Sequence, residues 1–171
     1  MNNEYWRQFA EALGAPHLHG RRVLVVSSPF SRTMRTAALA AEAAGISQES
    51  NPVQIAPELR ERFFGEELEL QPYGAAYGKI WEHDAQTSSH RPGGNGESVD
   101  EVSARLRLLF QRLEAEHKGA VILLVSHGDT LSILQSTMLG QDTRHHRRFA
   151  FNTAELRPLH ANLALNGLTT Q

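Results

Sequence analysis

Two short segments of this chain carry residue types that bind anions, and each directly follows an apolar run. The first is Ser27-Ser-Pro-Phe-Ser-Arg32-Thr, after the apolar run 23–26. Arg32 falls in the first turn of a predicted helix, where free backbone N–H groups favour negative charge. Because a guanidinium binds two phosphate oxygens at once, the segment predicts a phosphate-binding role for Arg32. The alternative is a solvated surface charge, which is the commoner role of a lone arginine in a loop.

The second segment is Val125-Ser-His127-Gly-Asp, at the end of the apolar run 120–125. His127 can donate to a phosphate oxygen or move a proton near neutral pH. Gly128 lets a ligand approach the backbone closely. A histidine that merely caps the following helix is the alternative. Two such junctions in one small domain favour binding, because open α/β sheets bind ligands outside the C-terminal ends of their strands.

A third segment, Glu58-Leu-Arg-Glu61-Arg62-Phe-Phe-Gly65, places a carboxylate beside aromatic residues and a glycine. Burial raises the pKa of a carboxyl group, so Glu61 could donate a proton in such a loop. The alternation of Glu and Arg fits a solvated ion-pair face equally well. On its own this segment leaves both interpretations open.

The elements that position these segments alternate between helices and strands. The apolar runs 23–26 and 120–125 are typical of strands covered on both faces of a parallel sheet. Helical periodicity and stop signals predict helices over 3–13, 33–44, 98–113 and 131–140, with a short one near 77–81. A capping box of Ser98 and Glu101 marks one helix start. The long stretch 45–98 is irregular, and 148–156 is predicted as an edge strand. This order predicts a doubly wound, mostly parallel α/β sheet with helices on both faces, as one domain over 1–160 with a tail at 161–171.

Composition narrows the classes of partner. The chain of 171 residues has 17 Lys and Arg against 19 Asp and Glu, which leaves no basic surface for nucleic acid. No apolar stretch approaches the roughly 18 residues of a membrane span, and the first residues lack the order of a signal peptide. We therefore expect a cytoplasmic protein that binds neither nucleic acid nor membrane. The absence of cysteine excludes thiol nucleophiles and Cys-ligated metals, and the histidines lack metal-ligand spacing.

Together these segments resemble the histidine phosphatase superfamily, in its phosphoglycerate-mutase-like branch. The residues that carry the resemblance are Ser27-Ser-Pro-Phe-Ser-Arg32-Thr, Leu59-Arg-Glu61-Arg-Phe-Phe-Gly65, Gly96-Glu-Ser98 and Val125-Ser-His127-Gly-Asp. The resemblance implies that a histidine attacks a phosphomonoester and forms a phosphohistidine, with no metal and no cofactor. The expected partner is a small-molecule phosphomonoester or a phosphoprotein.

The resemblance also implies roles for individual residues. Arg32, His127 and Gly128 match the positions that bind the phosphoryl group, and His127 also stabilises charge on the transferring oxygens. Glu61 matches the general acid that protonates the leaving oxygen. Arg62 lies where some members contact substrate.

The nucleophilic histidine of the family has no match in this sequence. It belongs to an Arg-His-Gly segment that ends a first, central strand, whereas here a predicted helix begins near residue 3. The pair His19-Gly20 follows that helix and precedes a strand, so we assign His19 to a loop and name no nucleophile. Without the central strand, the runs 22–27 and 120–126 are expected to pair directly or to leave a groove.

Three functional hypotheses follow. The first is a phosphoglycerate-mutase-like phosphatase whose nucleophile segment is missing from this sequence. The second is a catalytically inactive pseudophosphatase that binds phosphorylated ligands or partners through Arg32 and His127. A nucleotide-binding α/β domain is the least supported, because Gly93-Gly-Asn-Gly96 follows a polar loop and not a strand.

Overall fold

The computed structural model of this chain describes Glu11, residues 20–68 and residues 75–159. Three features predicted from the sequence lie outside the described residues. They are the helix over 3–13 (of which only Glu11 is described), His19 and the tail over 161–171. The chain divides into two compact units. The first unit comprises Met1–Glu61, Leu108–His127 and Asn152–Arg157, and the second comprises Arg62–Arg107, Gly128–Phe151 and Pro158–Gln171. A single domain over 1–160 stays a prediction.

A small parallel sheet lies in the first unit. Its strands are β1 (Val23–Ser27), β2 (Gln54–Ile55) and β3 (Val121–Val125), in the order β2-β1-β3. β1 and β3 pair directly and in parallel, from Val23 opposite Val121 to Ser27 opposite Val125. The two predicted strands are confirmed. They were expected either to pair directly or to leave a groove between them, and the structure shows direct pairing. The two-residue strand β2 is too short for sequence periodicity to reveal.

Helix α1 (Ser31–Ala43) packs against the sheet through small side chains. Ala37 and Ala41 lie against Val25 and Val125 in the core of the first unit. Alanines at helical spacing let the helix lie close to the strands, since they add little volume between backbones. The predicted helix 33–44 is confirmed, with its start two residues earlier.

Within residues 75–159, the structure has three further α-helices: α2 (Ala75–Gln86), α3 (Val99–Glu116) and α4 (Gly128–Met138). Short 3-10 turns cover Pro57–Leu59, Glu66–Leu68 and Thr143–Phe149. The capping box predicted for α3 is confirmed: the Ser98 N–H donates to Glu101 Oε2 at 2.9 Å, and the Glu101 N–H donates to Ser98 Oγ at 3.2 Å. Within the described ranges, no helix is long and apolar enough to cross a membrane.

The predicted edge strand over 148–156 is wrong. Residues Thr143–Phe149 form a 3-10 helix, and the chain from 150 to 156 contains turns and no strand. The Asp142 carboxylate caps this helix by accepting the Arg144 N–H at 3.0 Å. The fully buried His146 ring contacts Ser132 Oγ at 2.9 Å, which also anchors the segment. Capping at Asp142 and burial of the His146 ring therefore fix residues 143–149 as a helical segment, so the start of the predicted strand is not extended.

The glycine-rich part of the loop 87–96 is closely packed against the chain around Phe64. A Cβ atom at Gly96 would lie 2.5 Å from the Pro92 carbonyl oxygen and 2.8 Å from the Phe64 carbonyl carbon. Next to it, the Glu97 N–H donates to the Phe63 carbonyl at 2.7 Å. The glycine is therefore required by close backbone approach.

This packing predicts that Gly96→Ala destabilises the protein by about 1–3 kcal/mol, because backbone atoms must shift to accept the methyl group. Gly78→Ala is the matched control. It lies in α2 with nothing within 4 Å of the added Cβ, so we expect it to be stabilising by up to about 1 kcal/mol. Urea unfolding of the two variants measures the difference. Equal midpoints would contradict the prediction.

Candidate phosphoryl-binding site

The C-terminal ends of β1 and β3 hold the two predicted anion-binding segments side by side. Parallel strands that pair directly end at the same edge of the sheet, so the chain segments that follow them begin as neighbours. One further backbone hydrogen bond extends the pairing, from the Ser28 N–H to the Val125 carbonyl at 2.9 Å. Ser28 and His127 therefore leave the sheet at adjacent points.

His127 is held by two side chains from the segment after β1. Its Nε2 lies 2.8 Å from Ser28 Oγ, and its Nδ1 lies 2.8 Å from Arg32 Nη2. His127 is 6% exposed and Ser28 is 0% exposed. The structure thus brings the predicted pair Arg32 and His127 into direct contact.

Phe30 adds an aromatic surface to the same group. Its ring meets the His127 ring edge-on at 5.0 Å, and the Arg32 guanidinium lies over its face at 4.9 Å. These contacts restrict the orientation of both polar side chains. The sequence pattern indicated no separate role for Phe30 or Ser28. A serine directly after a buried strand was the available signal for Ser28.

The arrangement suits a tetrahedral anion. Arg32 is the second residue of α1, so its exposed guanidinium lies beside the N-terminal turn of a 13-residue helix. The N–H groups at the start of that helix and the guanidinium carry positive charge, which attracts phosphate oxygens. Among the described residues, no group of three or more His, Asp or Glu side chains is arranged to hold a metal ion.

The segment that carries Glu61 is tied to the same strand ends. The Ala56 N–H donates to the Ser27 carbonyl at 2.9 Å, and Ser126 Oγ donates to the Leu59 carbonyl at 2.6 Å. Glu61 follows Leu59 by two residues and is half-buried. The backbone before Glu61 is therefore fixed relative to the strands that position Ser28 and His127.

The other two predicted site residues, Gly128 and Arg62, belong to the second unit. Gly128 follows His127 in the chain and is the first residue of α4, with nothing within 4 Å of an added Cβ atom. Open space around a glycine at a helix start is compatible with a ligand near the backbone.

Arg62 lies at the centre of a buried ion-pair cluster. It is 2% exposed and donates to both oxygens of Asp84, at 2.6 Å and 2.9 Å. A third contact joins it to Asp129 at 3.4 Å, and its Nε donates to the Glu97 carbonyl at 2.8 Å. Asp129 also accepts a hydrogen bond from Trp81 Nε1 at 3.0 Å. Contact between Arg62 and substrate stays a prediction. The sequence pattern did not indicate its two carboxylate partners, Asp84 and Asp129.

The cluster changes the ionisation of its members. Burial by itself would raise the pKa of Asp84, but the hydrogen bonds and positive charge of Arg62 hold that pKa below its usual value. Burial likewise opposes the charge on Arg62, and its hydrogen bonds and ion pair with Asp84 raise the Arg62 pKa nonetheless. Both groups are therefore charged near neutral pH.

We expect Asp84→Asn to destabilise the protein by about 3–5 kcal/mol at neutral pH, because it leaves the buried Arg62 charge poorly compensated. The pKa of Asp84 is lower in the folded chain than in the unfolded chain. Its stabilising contribution is thus present above about pH 3.9 and lost as the pH falls through the folded value.

The measurement is urea unfolding of both proteins across the acid range. The difference between wild type and variant should shrink as the pH falls below about 4. Glu82→Gln is the control, because Glu82 is exposed on the same helix α2 and should change stability by no more than about 0.5 kcal/mol. A neutral-pH effect of Asp84→Asn no larger than the control would contradict the expectation.

With the geometry in place, comparison with known proteins identifies the family. The model of the histidine phosphatase superfamily (branch 1) matches residues 4–163. This chain belongs to that superfamily.

Individual relatives agree with this assignment. The chain is 34% identical over 129 residues to the adenosylcobalamin/alpha-ribazole phosphatase of Escherichia coli K12, covering 72% of this chain and 60% of that protein. It is 30% identical over 135 residues to a Photorhabdus laumondii protein named probable phosphoglycerate mutase, covering 77% and 60% of the two chains. This chain thus spans 60% of the length of both of these relatives.

Solved structures share the fold. The alpha-ribazole phosphatase of Shigella flexneri matches with a TM-score of 0.57 and 26% identity, covering 88% of this chain and 71% of that one. A mycobacterial glucosyl-3-phosphoglycerate phosphatase matches with a TM-score of 0.58 at 24% identity, over 85% and 70% of the two chains. These matches confirm the predicted α/β class with a parallel sheet and helices.

Proposed function

We propose that this chain binds the phosphoryl group of a phosphomonoester at the C-terminal ends of β1 and β3. The observation that carries the proposal is the direct contact of Arg32 with His127 at 2.8 Å, beside the start of α1. A guanidinium, an imidazole that can take up a proton and helix N–H groups are the kinds of donor that stabilise charge on transferring phosphoryl oxygens.

Each residue has a defined part in this proposal. Arg32 and His127 bind and orient the phosphoryl oxygens, and Gly128 leaves room for the ligand beside the backbone. Glu61 gives a proton to the leaving oxygen as the ester P–O bond breaks. In a phosphohistidine mechanism a histidine nitrogen forms the new bond to phosphorus, and water later opens that P–N bond. We assign that nucleophile to no residue in the part of the chain that the structure describes.

The second candidate function is binding of phosphorylated ligands or partners without turnover. It is supported by the contact of Arg32 with His127, because this contact can recognise a phosphoryl group without a nucleophile. A chain of this kind would retain Arg32 and His127 as a recognition site. The bound molecule, either a small phosphomonoester or a phosphoprotein, would then be recognised but not hydrolysed.

Binding of inorganic phosphate tests the site shared by both candidates. Arg32→Ala should weaken phosphate binding by about 10- to 100-fold, because a hydrogen bond to a charged group is lost. Arg35→Ala is the matched control, since Arg35 is an exposed arginine on the same helix and should leave the affinity unchanged. Isothermal calorimetry provides the measurement. Equal affinities for the two variants would refute the site.

Hydrolysis assays separate the two candidates. For a phosphatase, we expect Glu61→Gln to slow hydrolysis of an alkyl phosphate by about 10²- to 10⁴-fold, because its leaving oxygen requires a proton. Hydrolysis of 4-nitrophenyl phosphate should fall much less, since nitrophenolate leaves without protonation. Phosphate binding without turnover of either ester would support the non-enzymatic candidate. Retained turnover in both Arg32→Ala and His127→Ala would refute the assigned roles.

A further inference from the structure

The hydrogen bonds around His127 determine which ring nitrogen carries a proton when no anion is bound. A guanidinium has donors and no acceptor. Because Arg32 Nη2 lies 2.8 Å from Nδ1, Nδ1 must accept this hydrogen bond and is unprotonated. Nε2 then carries the ring proton and donates it to Ser28 Oγ at 2.8 Å.

A bound anion requires the opposite state at Nδ1. When Arg32 turns its donors to the anion, an unprotonated Nδ1 would direct its lone pair at anion oxygens, which is repulsive. We propose that anion binding protonates Nδ1 of His127 and that Ser28 is the positioning residue that holds the ring through this change. The inference rests on the proposed function, since it takes the anion to be a phosphoryl group or a tetrahedral mimic.

Ser28 suits this role because a hydroxyl group both donates and accepts hydrogen bonds. It can stay bonded to Nε2 whether that nitrogen keeps its proton or returns it to solvent water, while Nδ1 takes a proton from solvent. The position of Oγ is fixed, since Ser28 is fully buried and its N–H donates to the Val125 carbonyl. The Phe30 N–H also lies 3.5 Å from Ser28 Oγ.

The charges around the ring favour a proton on Nδ1 only when an anion is bound. Arg32, on α1, is a charged group in hydrogen-bond contact with the ring, and Ser28 and Phe30 from the preceding segment are uncharged. On the β3 side, the Ser126 hydroxyl is bonded to the Leu59 carbonyl, and Glu61 follows two residues later. A neighbouring cation opposes a proton on Nδ1, and a bound dianion offsets that cation.

The test is the imidazole ¹⁵N spectrum of the chain with and without sulfate. Sulfate is a suitable probe because it is a tetrahedral dianion that does not titrate near neutral pH. His127→Gln identifies the His127 signals among the nine histidines. We expect an Nε2–H tautomer without sulfate and a protonated Nδ1 at saturating sulfate. A protonated Nδ1 without sulfate, or an unprotonated Nδ1 at saturation, would overturn the proposal.

Two variants test the role of Ser28. Ser28→Ala should weaken sulfate binding by about fivefold, the effect of one hydrogen bond, and should shift the Nε2 signal of the anion-free ring, because the Nε2 proton loses its acceptor. Ser27→Ala is the matched control, because this buried neighbour donates to the Ser28 carbonyl at 3.0 Å. It should change neither readout. An unchanged Nε2 signal and unchanged affinity in Ser28→Ala would exclude a positioning role.

The Arg32→Ala variant distinguishes failure of this inference from failure of the proposed function. If sulfate binding depends on Arg32 but the His127 protonation state does not change, this inference alone is wrong. If sulfate does not bind to the wild-type chain, or binds equally well to Arg32→Ala, both are wrong.

Discussion

The direct pairing of β1 with β3 is the constraint on which the candidate site depends. Five residue pairs set the register of the two strands, and the bond from the Ser28 N–H to the Val125 carbonyl extends it to the point where the site begins. A register shift of one residue would displace His127 by about 3.3 Å relative to Ser28. Both hydrogen bonds to the imidazole would then be lost. The geometry of the anion-binding residues therefore depends on the register of the sheet.

The buried Arg62–Asp84 pair has a comparable place in the second unit. Such pairs add little net stability over apolar packing, because desolvation offsets most of the electrostatic attraction. Their geometric requirements are strict, however, and together with Asp129 this one joins three parts of the unit. Arg62 lies on the segment after Glu61, Asp84 on α2 and Asp129 on α4. The pair therefore contributes more to the specific arrangement of these elements than to the net stability of the unit.

The sequence predicted the elements whose signals are local. Apolar runs located β1 and β3, and the Ser98–Glu101 capping box located the start of α3. The sequence pattern placed Arg32 and His127 after two strands of a parallel sheet, and the structure adds their direct contact. The predicted strand over 148–156 is wrong, because capping at Asp142 and burial of the His146 ring hold the start of that range in a helical segment. Asp84 could not be found, since its partner lies 22 residues away and only tertiary packing joins them.

The close packing of the loop around Gly96 has a consequence for its exposure to proteases. A polar, glycine-rich loop is an ordinary site of cleavage, because it can extend into a protease active site. Here the Gly96, Glu97 and Asp100 N–H groups are bonded to the carbonyls of Pro92, Phe63 and Ser88. Extension would break all three bonds and separate closely packed backbones. The composition of this loop marks it as a cleavage site, while its hydrogen bonds make the folded chain resistant there.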